Sequence, residues 1–172
     1  LETLAAESCT MNLYFVRHAD ALPVNMTDIT SDAERPLSEE GHRQVLRLAS
    51  GFKRLDIHLD AVLTSPLVRA RQAAEGLVKH LNLNLEVQEC KHLVPGGSPK
   101  KLGKFLRQAE VQHVVLVGHE PDLGEHTAYF IGSKRARIEF AKGGMACVVC
   151  DNPPRKGTGV LLWLLTPSWL DS

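Results

Sequence analysis

The sequence predicts an α/β fold: a three-layer α/β/α sandwich whose central sheet is mixed but mostly parallel. Short apolar runs alternate with stretches of helical periodicity, the pattern of strand–helix units feeding one sheet. Two more apolar runs close the chain around a turn rich in Pro and Gly, which adds an antiparallel hairpin to that sheet. At 172 residues the chain has the length of one domain with one sizeable core.

Residues 12–17 (NLYFVR) are apolar and aromatic and predict a buried strand. Residues 19–36 are polar and too irregular for a core element. A bare loop of that length is uncommon, and such loops often carry function. Ser38-Glu39-Glu40-Gly41 opens a helix with Ser38 as N-cap, and Val45, Leu48, Ala49, Phe52 and Leu55 recur at helical spacing. Residues 60–64 (DAVLT) are the next strand, followed by Ser65-Pro66 and a helix over 67–80. Residues 85–88 are a weaker strand, 93–97 (LVPGG) a loop by its breakers, and 100–108 a short helix after Ser98-Pro99. Residues 113–117 (HVVLV) form a strong buried strand that runs into Gly118-His119-Glu120-Pro121. Pro121 suits the first turn of a helix carrying Leu123, His126, Tyr129 and Phe130. Residues 145–150 and 159–165 make the terminal hairpin. Residues 11–172 therefore read as a single domain, with residues 1–10 as an N-terminal extension outside the motif region.

Composition narrows the function classes. The apolar fraction of 44% and charged fraction of 23% are those of an ordinary globular chain. A formal net charge of +0 gives no reason to expect a nucleic-acid partner. No apolar run approaches the ~20 residues of a membrane span, so no membrane partner is expected either. Four cysteines are too few and too dispersed for a disulfide framework. Cys147 and Cys150 lack the second ligand pair that zinc would need. On a strand, their offset of three would point them to opposite faces. They read as reduced core thiols of a cytoplasmic protein.

Chemistry collects at three places, each directly after a short apolar strand: Arg17-His18, Ser65-Pro66 leading to Arg69, and Gly118-His119. The carboxyl ends of parallel strands are where open α/β sheets form ligand crevices, so neighbouring parallel strands would make the three clusters converge. Two Arg and two His around one point suit a tetrahedral dianion, because each guanidinium can pair with two of its oxygens. A neutral imidazole can attack phosphorus and form a phosphoenzyme.

These residues resemble a known family. Val16-Arg17-His18-Ala19 is similar to the RHG signature of the histidine phosphatase superfamily, which includes phosphoglycerate mutases and SixA-type phosphohistidine phosphatases. Thr64-Ser65-Pro66-Leu67-Val68-Arg69-Ala70 resembles its second motif, and Val117-Gly118-His119-Glu120-Pro121 its third. Arg35-Pro36-Leu37-Ser38 with Gly41 resembles the segment between the first two motifs. The resemblance implies a phosphoglycerate mutase-like fold, with His18 as nucleophile and Arg17, Arg69 and His119 around the phosphoryl oxygens. It places Arg35 among the substrate-binding residues. It implies no metal and no cofactor, with inorganic phosphate as product. A monomer is expected.

Departures from the pattern choose among subfamilies. Ala19 replaces the signature glycine, as SixA-like members tolerate. Mutases and many phosphomonoesterases carry an acid in an L-x-E motif after the third strand, where this chain has Leu93-Val94-Pro95. Glu89 is the nearby carboxylate that would substitute under another register, or else a solvated strand end. Phosphoester cleavage expels an alkoxide and profits from a proton donor, whereas phosphohistidine expels an imidazole of pKa about 6.5. The expected function is therefore a phosphohistidine phosphatase acting on a phosphotransfer domain of a phosphorelay through a covalent intermediate on His18. The alternatives are a broad phosphatase of small phosphomonoesters and a non-catalytic phosphate-binding module.

Overall fold

The structure is a computed structural model, and residues 10–24 and 29–169 are described. Six strands form one sheet in the order β3-β2-β4-β1-β5-β6. Strands β1 (Thr10–Arg17), β4 (His113–Gly118), β2 (Ala61–Thr64) and β3 (Val87–Glu89) run parallel to their neighbours. Strands β5 (Met145–Asp151) and β6 (Gly159–Leu165) are antiparallel, β5 pairing with β1. The sheet is thus mixed and mostly parallel, with β2, β4 and β1 side by side. That adjacency lets the three motif-bearing strand ends meet.

Alternation along the strands feeds a core on each face. Tyr14, Val16, Val115, Val117 and Val62 pack on one side with Val45, Leu48, Phe52, Ala73, Ala74 and Leu77 from the helices. Leu13, Phe15, Val114 and Leu116 pack on the other with Leu102, Leu106, Leu123 and Phe130. The central strands are buried on both faces, as parallel strands between helical layers must be. Cys147 and Cys150 fall into opposite cores, the outcome expected for strand residues three apart.

Helix α1 (Glu39–Arg54) starts at Ser38, whose Oγ accepts from the Gly41 amide at 3.0 Å. Glu39 and Glu40 lie at its N-terminus and Lys53 and Arg54 at its C-terminus, complementing the helix dipole. Gly41 is required: a Cβ there would lie 2.0 Å from the Asp20 carbonyl oxygen. The same approach ties the loop after β1 to the helix, since Ser38 donates from its amide and hydroxyl to Asp20. Helix α2 (Val68–Leu81) packs on α1, and α3 (Pro99–Leu106) and α4 (Asp122–Phe130) cover the opposite face.

Boundaries differ in small ways. The first strand begins at Thr10, inside the segment set aside as an extension, while residues 1–9 lie outside the described residues. The weak strand is Val87–Glu89, not 85–88, because pairing with β2 runs from Val62↔Val87 to Thr64↔Glu89. Leu85 packs instead against the helical core. Among the described residues no helix is long and apolar enough to cross a membrane.

Candidate active site

His18 follows β1, and its amide donates to the Gly118 carbonyl across the β1–β4 seam at 3.1 Å. Its Nδ1 lies 2.7 Å from the Ala19 carbonyl oxygen. A carbonyl can only accept, so Nδ1 carries the proton and Nε2 keeps its lone pair. Arg69, in the first turn of α2, places its Nε 3.2 Å from that Nε2. The ring is 8% exposed. A neutral imidazole with its free nitrogen facing a guanidinium is what nucleophilic attack on phosphorus needs.

His119 follows β4, its ring centroid 5.0 Å from that of His18. Its Nε2 lies 2.8 Å from Ser65 Oγ at the end of β2, and Ser65 Oγ accepts from the Leu67 amide. With the hydroxyl donating to Nε2, the His119 proton lies on Nδ1. That Nδ1 is buried without a partner among the described residues, and so is Nε of Arg17. Arg17 donates from Nη1 to the Phe140 carbonyl at 2.6 Å. An unmet buried polar group costs about 1–3 kcal/mol, and two unmet nitrogens beside the paired imidazoles describe a site built to receive an anion.

Burial, then the neighbouring cations, governs protonation here. Burial chiefly, with Arg69, Arg17 and Arg35 adding, lowers the His18 pKa to about 4 against the opposing bond to Ala19. Burial, His18, Arg69 and Arg17 lower that of His119 to about 3. Both rings are neutral near pH 7. Because the unfolded chain binds these protons at about pH 6.5 and the native state does not, unfolding stability should be full above pH 6.5. It should fall as pH drops toward 4, by roughly 3 kcal/mol for His18 alone. Denaturant titrations at pH 7.5 and pH 4.5 measure this, and a flat profile would show the imidazoles to be protonated in the fold. On the same basis the acid limb of kcat/KM should lie near pH 4, well below the ordinary histidine range.

The structure brings together four of the five site residues expected from sequence: Arg17, His18, Arg69 and His119. Arg35 joins them through an intermediary. Its Nε and Nη2 donate to the Leu22 and Ala21 carbonyls, and its Nη1 to Asp32 Oδ1 at 2.9 Å. Asp32, absent from the sequence reading, then accepts from Arg69 Nη2 at 2.9 Å, while its carbonyl accepts from Nη1 at 2.6 Å. Arg35 first and Arg69 second hold the Asp32 carboxyl below its ordinary range. The sole sequence hint was an acid three residues before Arg35 in a long polar loop. Ser65 was noted only as the residue opening the second cluster.

Other acids lie differently. Pro95 is exposed and Leu93 buried, so the loop after β3 presents no carboxylate at the L-x-E position. Glu89 pairs with Arg71 at 3.2 Å, both about half exposed. Glu120 accepts from the amides of Phe140 and Gly124, and burial raises its pKa. It thereby braces the segment whose Phe140 carbonyl holds Arg17. Among the described residues no cluster of His, Cys, Asp and Glu could hold a metal ion.

Known proteins resemble this chain in sequence and in fold. Residues 13–93 match the family model described as histidine phosphatase superfamily (branch 1). A Picosynechococcus sp. protein described as uncharacterized is 35% identical over 93% of this chain and 99% of its own length. Phosphohistidine phosphatase SixA of Escherichia coli K12 is 27% identical over 91% of this chain and 94% of its own. A structure of the protein histidine phosphatase SixA complexed with tungstate superposes with a TM-score of 0.82, at 27% identity, over 93% of this chain and 99% of that one. With His18, Arg69 and His119 already gathered at three parallel strand ends, the chain belongs to the histidine phosphatase superfamily and is of its SixA type.

Proposed function

We propose that this enzyme removes the phosphoryl group from a phosphohistidine side chain of a phosphotransfer protein in a phosphorelay, through a phosphoryl intermediate on Nε2 of His18. The observation that carries the reading is that two of the acids around the site, Asp32 and Glu89, are engaged by arginines. Asp32, the carboxyl bonded to Arg69, is held ionised by Arg35 and Arg69 and has no proton to give at neutral pH. Glu89 is tied to Arg71 and Pro95 offers nothing. Such a site favours a substrate whose leaving group is itself a good one, and imidazole with its pKa of about 6.5 is better by far than an alkoxide.

In this scheme Nε2 of His18 attacks phosphorus while the substrate imidazole, protonated from solvent on its other ring nitrogen, departs as a neutral ring. Arg69, Arg17 and Nδ1–H of His119 donate to the phosphoryl oxygens as charge shifts onto them, the interaction that dominates phosphoryl transfer. Water then cleaves the N–P bond to His18 and releases inorganic phosphate. The lowered basicity of His18 makes it a ready leaving group for this second step. A relative solved with tungstate, a tetrahedral oxyanion, supports such a pocket. We further propose one domain over residues 11–172, acting as a cytoplasmic monomer.

Turnover of a phosphohistidine protein should exceed that of phosphoserine and sugar phosphates in kcat/KM, and Glu89→Gln should leave it within about two-fold. A phosphomonoester preference that collapses in Glu89→Gln would overturn the reading. Glu120 favours the small-phosphomonoester alternative, because burial keeps its carboxyl more protonated than usual. In that case Glu120→Gln would abolish ester cleavage selectively.

A further inference from the structure

Helix α3 carries an unusual charge pattern for a chain of zero net charge. Its sequence is PKKLGKFL, without an acid in its first turn, and Arg107 follows. Leu102, Gly103 and Leu106 turn inward, while Lys101, Lys104 and Phe105 are exposed. An open groove of about 500 Å³ runs beside it, lined by Lys91, His92, Lys101, Lys104, Phe105 and Gln108. An adjoining hollow of about 310 Å³ shares Lys91, His92 and Phe105 and reaches Pro66. Pro66 is next in the chain to Ser65, which contacts His119. Groove and hollow together thus run from α3 to Pro66, one residue along the chain from a side chain of the site.

None of Lys91, Lys100, Lys101, Lys104 and Arg107 forms an ion pair with a described carboxylate. The one acid at the groove's inner end, Glu89, is occupied by Arg71. The cations act on one spot: after burial, Lys91 and Lys101 are the next causes that lower the His92 pKa. On the far flank Lys100, Lys104, Arg107, Arg155 and Lys156 surround a third hollow. Clustered like charges repel within the Debye length of about 8 Å, so this face gains from an anionic partner. Its centre is apolar, with the Phe105 ring edge-on to His92 at 6.1 Å. A ring of ammonium groups around an aromatic floor, in a concave groove, matches a folded protein surface with an apolar spot among carboxylates.

We propose that the α3 groove docks the acidic surface of the phosphoprotein substrate, with Lys101 and Lys104 facing its carboxylates and Phe105 its apolar spot, so that the phosphoryl group is delivered over Ser65 toward His18. The proposal rests on the phosphohistidine-protein reading above. Steering by such a face changes association by roughly 10- to 1000-fold and weakens with salt.

The test compares wild type with Lys101→Glu/Lys104→Glu on two substrates: a phosphohistidine phosphotransfer domain of net negative charge, and phosphoimidazole, which is too small to reach the groove. The variant should lose about ten-fold or more in kcat/KM on the protein, with a flattened salt dependence, and stay within two-fold on phosphoimidazole. Lys101→Ala/Lys104→Ala and Phe105→Ala should lose less, in the same direction. Unchanged protein kinetics in the variants, with wild type active on the phosphohistidine domain, would overturn the docking site alone. Equal losses on both substrates would also overturn it, by assigning the lysines to stability. Wild type inactive on both phosphohistidine substrates but active on phosphomonoesters would overturn both readings. Retention of wild type but not the variant on phosphatidylserine vesicles, with protein kinetics unchanged, would assign the face to lipid and overturn the proposal.

Discussion

His18→Ala is expected to reduce turnover by on the order of 10⁴-fold or more, since removal of a covalent nucleophile leaves only the binding and charge-stabilising groups. The fold should persist. The substitution removes one buried neutral ring and its bond to the Ala19 carbonyl, while the strand pairing of β1 through Arg17 is untouched. The pocket should still take up phosphate, because Arg17, Arg69 and His119 keep their donors. Two measurements separate these effects. Rapid acid-free quenching of wild type on a phosphohistidine substrate should trap a phosphoryl group that is stable to alkali, labile to acid and absent from His18→Ala. Inorganic phosphate should inhibit wild type and bind the variant with affinities within about ten-fold of each other. A variant that turns over normally, or a label that survives the substitution, would place the nucleophile elsewhere.

What the sequence made legible was whatever depends on local pattern. The apolar runs of β1, β4 and β5 predict strands because two buried faces leave no room for polar residues. Ser38 predicts the start of α1 because an N-cap is a local interaction. Convergence of His18, Arg69 and His119 was legible only conditionally, on three strands being parallel neighbours, and the order β2-β4-β1 meets that condition. The illegible parts are contacts between loops. The segment 131–144 shows no periodicity, yet its Phe140 carbonyl holds Arg17 and its Ile138 carbonyl lies where a Cβ on Gly124 would be. These contacts use the backbone of a coil, which leaves no trace in side-chain pattern. Asp32 was missed because its contact is long-range. Its pairing with Arg69 crosses 37 positions and depends on how the polar loop folds back. Arg35 was noticed through its motif, but its immediate partners, Leu22, Ala21 and Asp32, required the structure.

Arg69→Lys should lower kcat/KM by roughly 10²–10³-fold, the usual cost of losing an aligned donor to a developing charge. A guanidinium has two forks, and this structure assigns them different partners. The end fork, Nη1 and Nη2, is held by the carbonyl and carboxylate of Asp32. That constraint turns the side edge, bearing Nε, toward Nε2 of His18. A lysine offers one ammonium and cannot satisfy both directions. Asp32 is thus a positioning residue, and its variants should carry a distinctive kinetic signature. Asp32→Ala should lower kcat by about ten-fold because Arg69 loses its alignment. It should not weaken inhibition by phosphate, because a negative charge near the anion site has been removed. Asp32→Asn, which keeps an acceptor for Nη2, should fall between wild type and Asp32→Ala. In an Arg69→Lys background, Asp32→Ala should cost little more, since residues sharing one interaction do not add. Additive losses, or a weaker hold on phosphate with kcat intact, would mean that Asp32 stabilises the loop and does not aim Arg69.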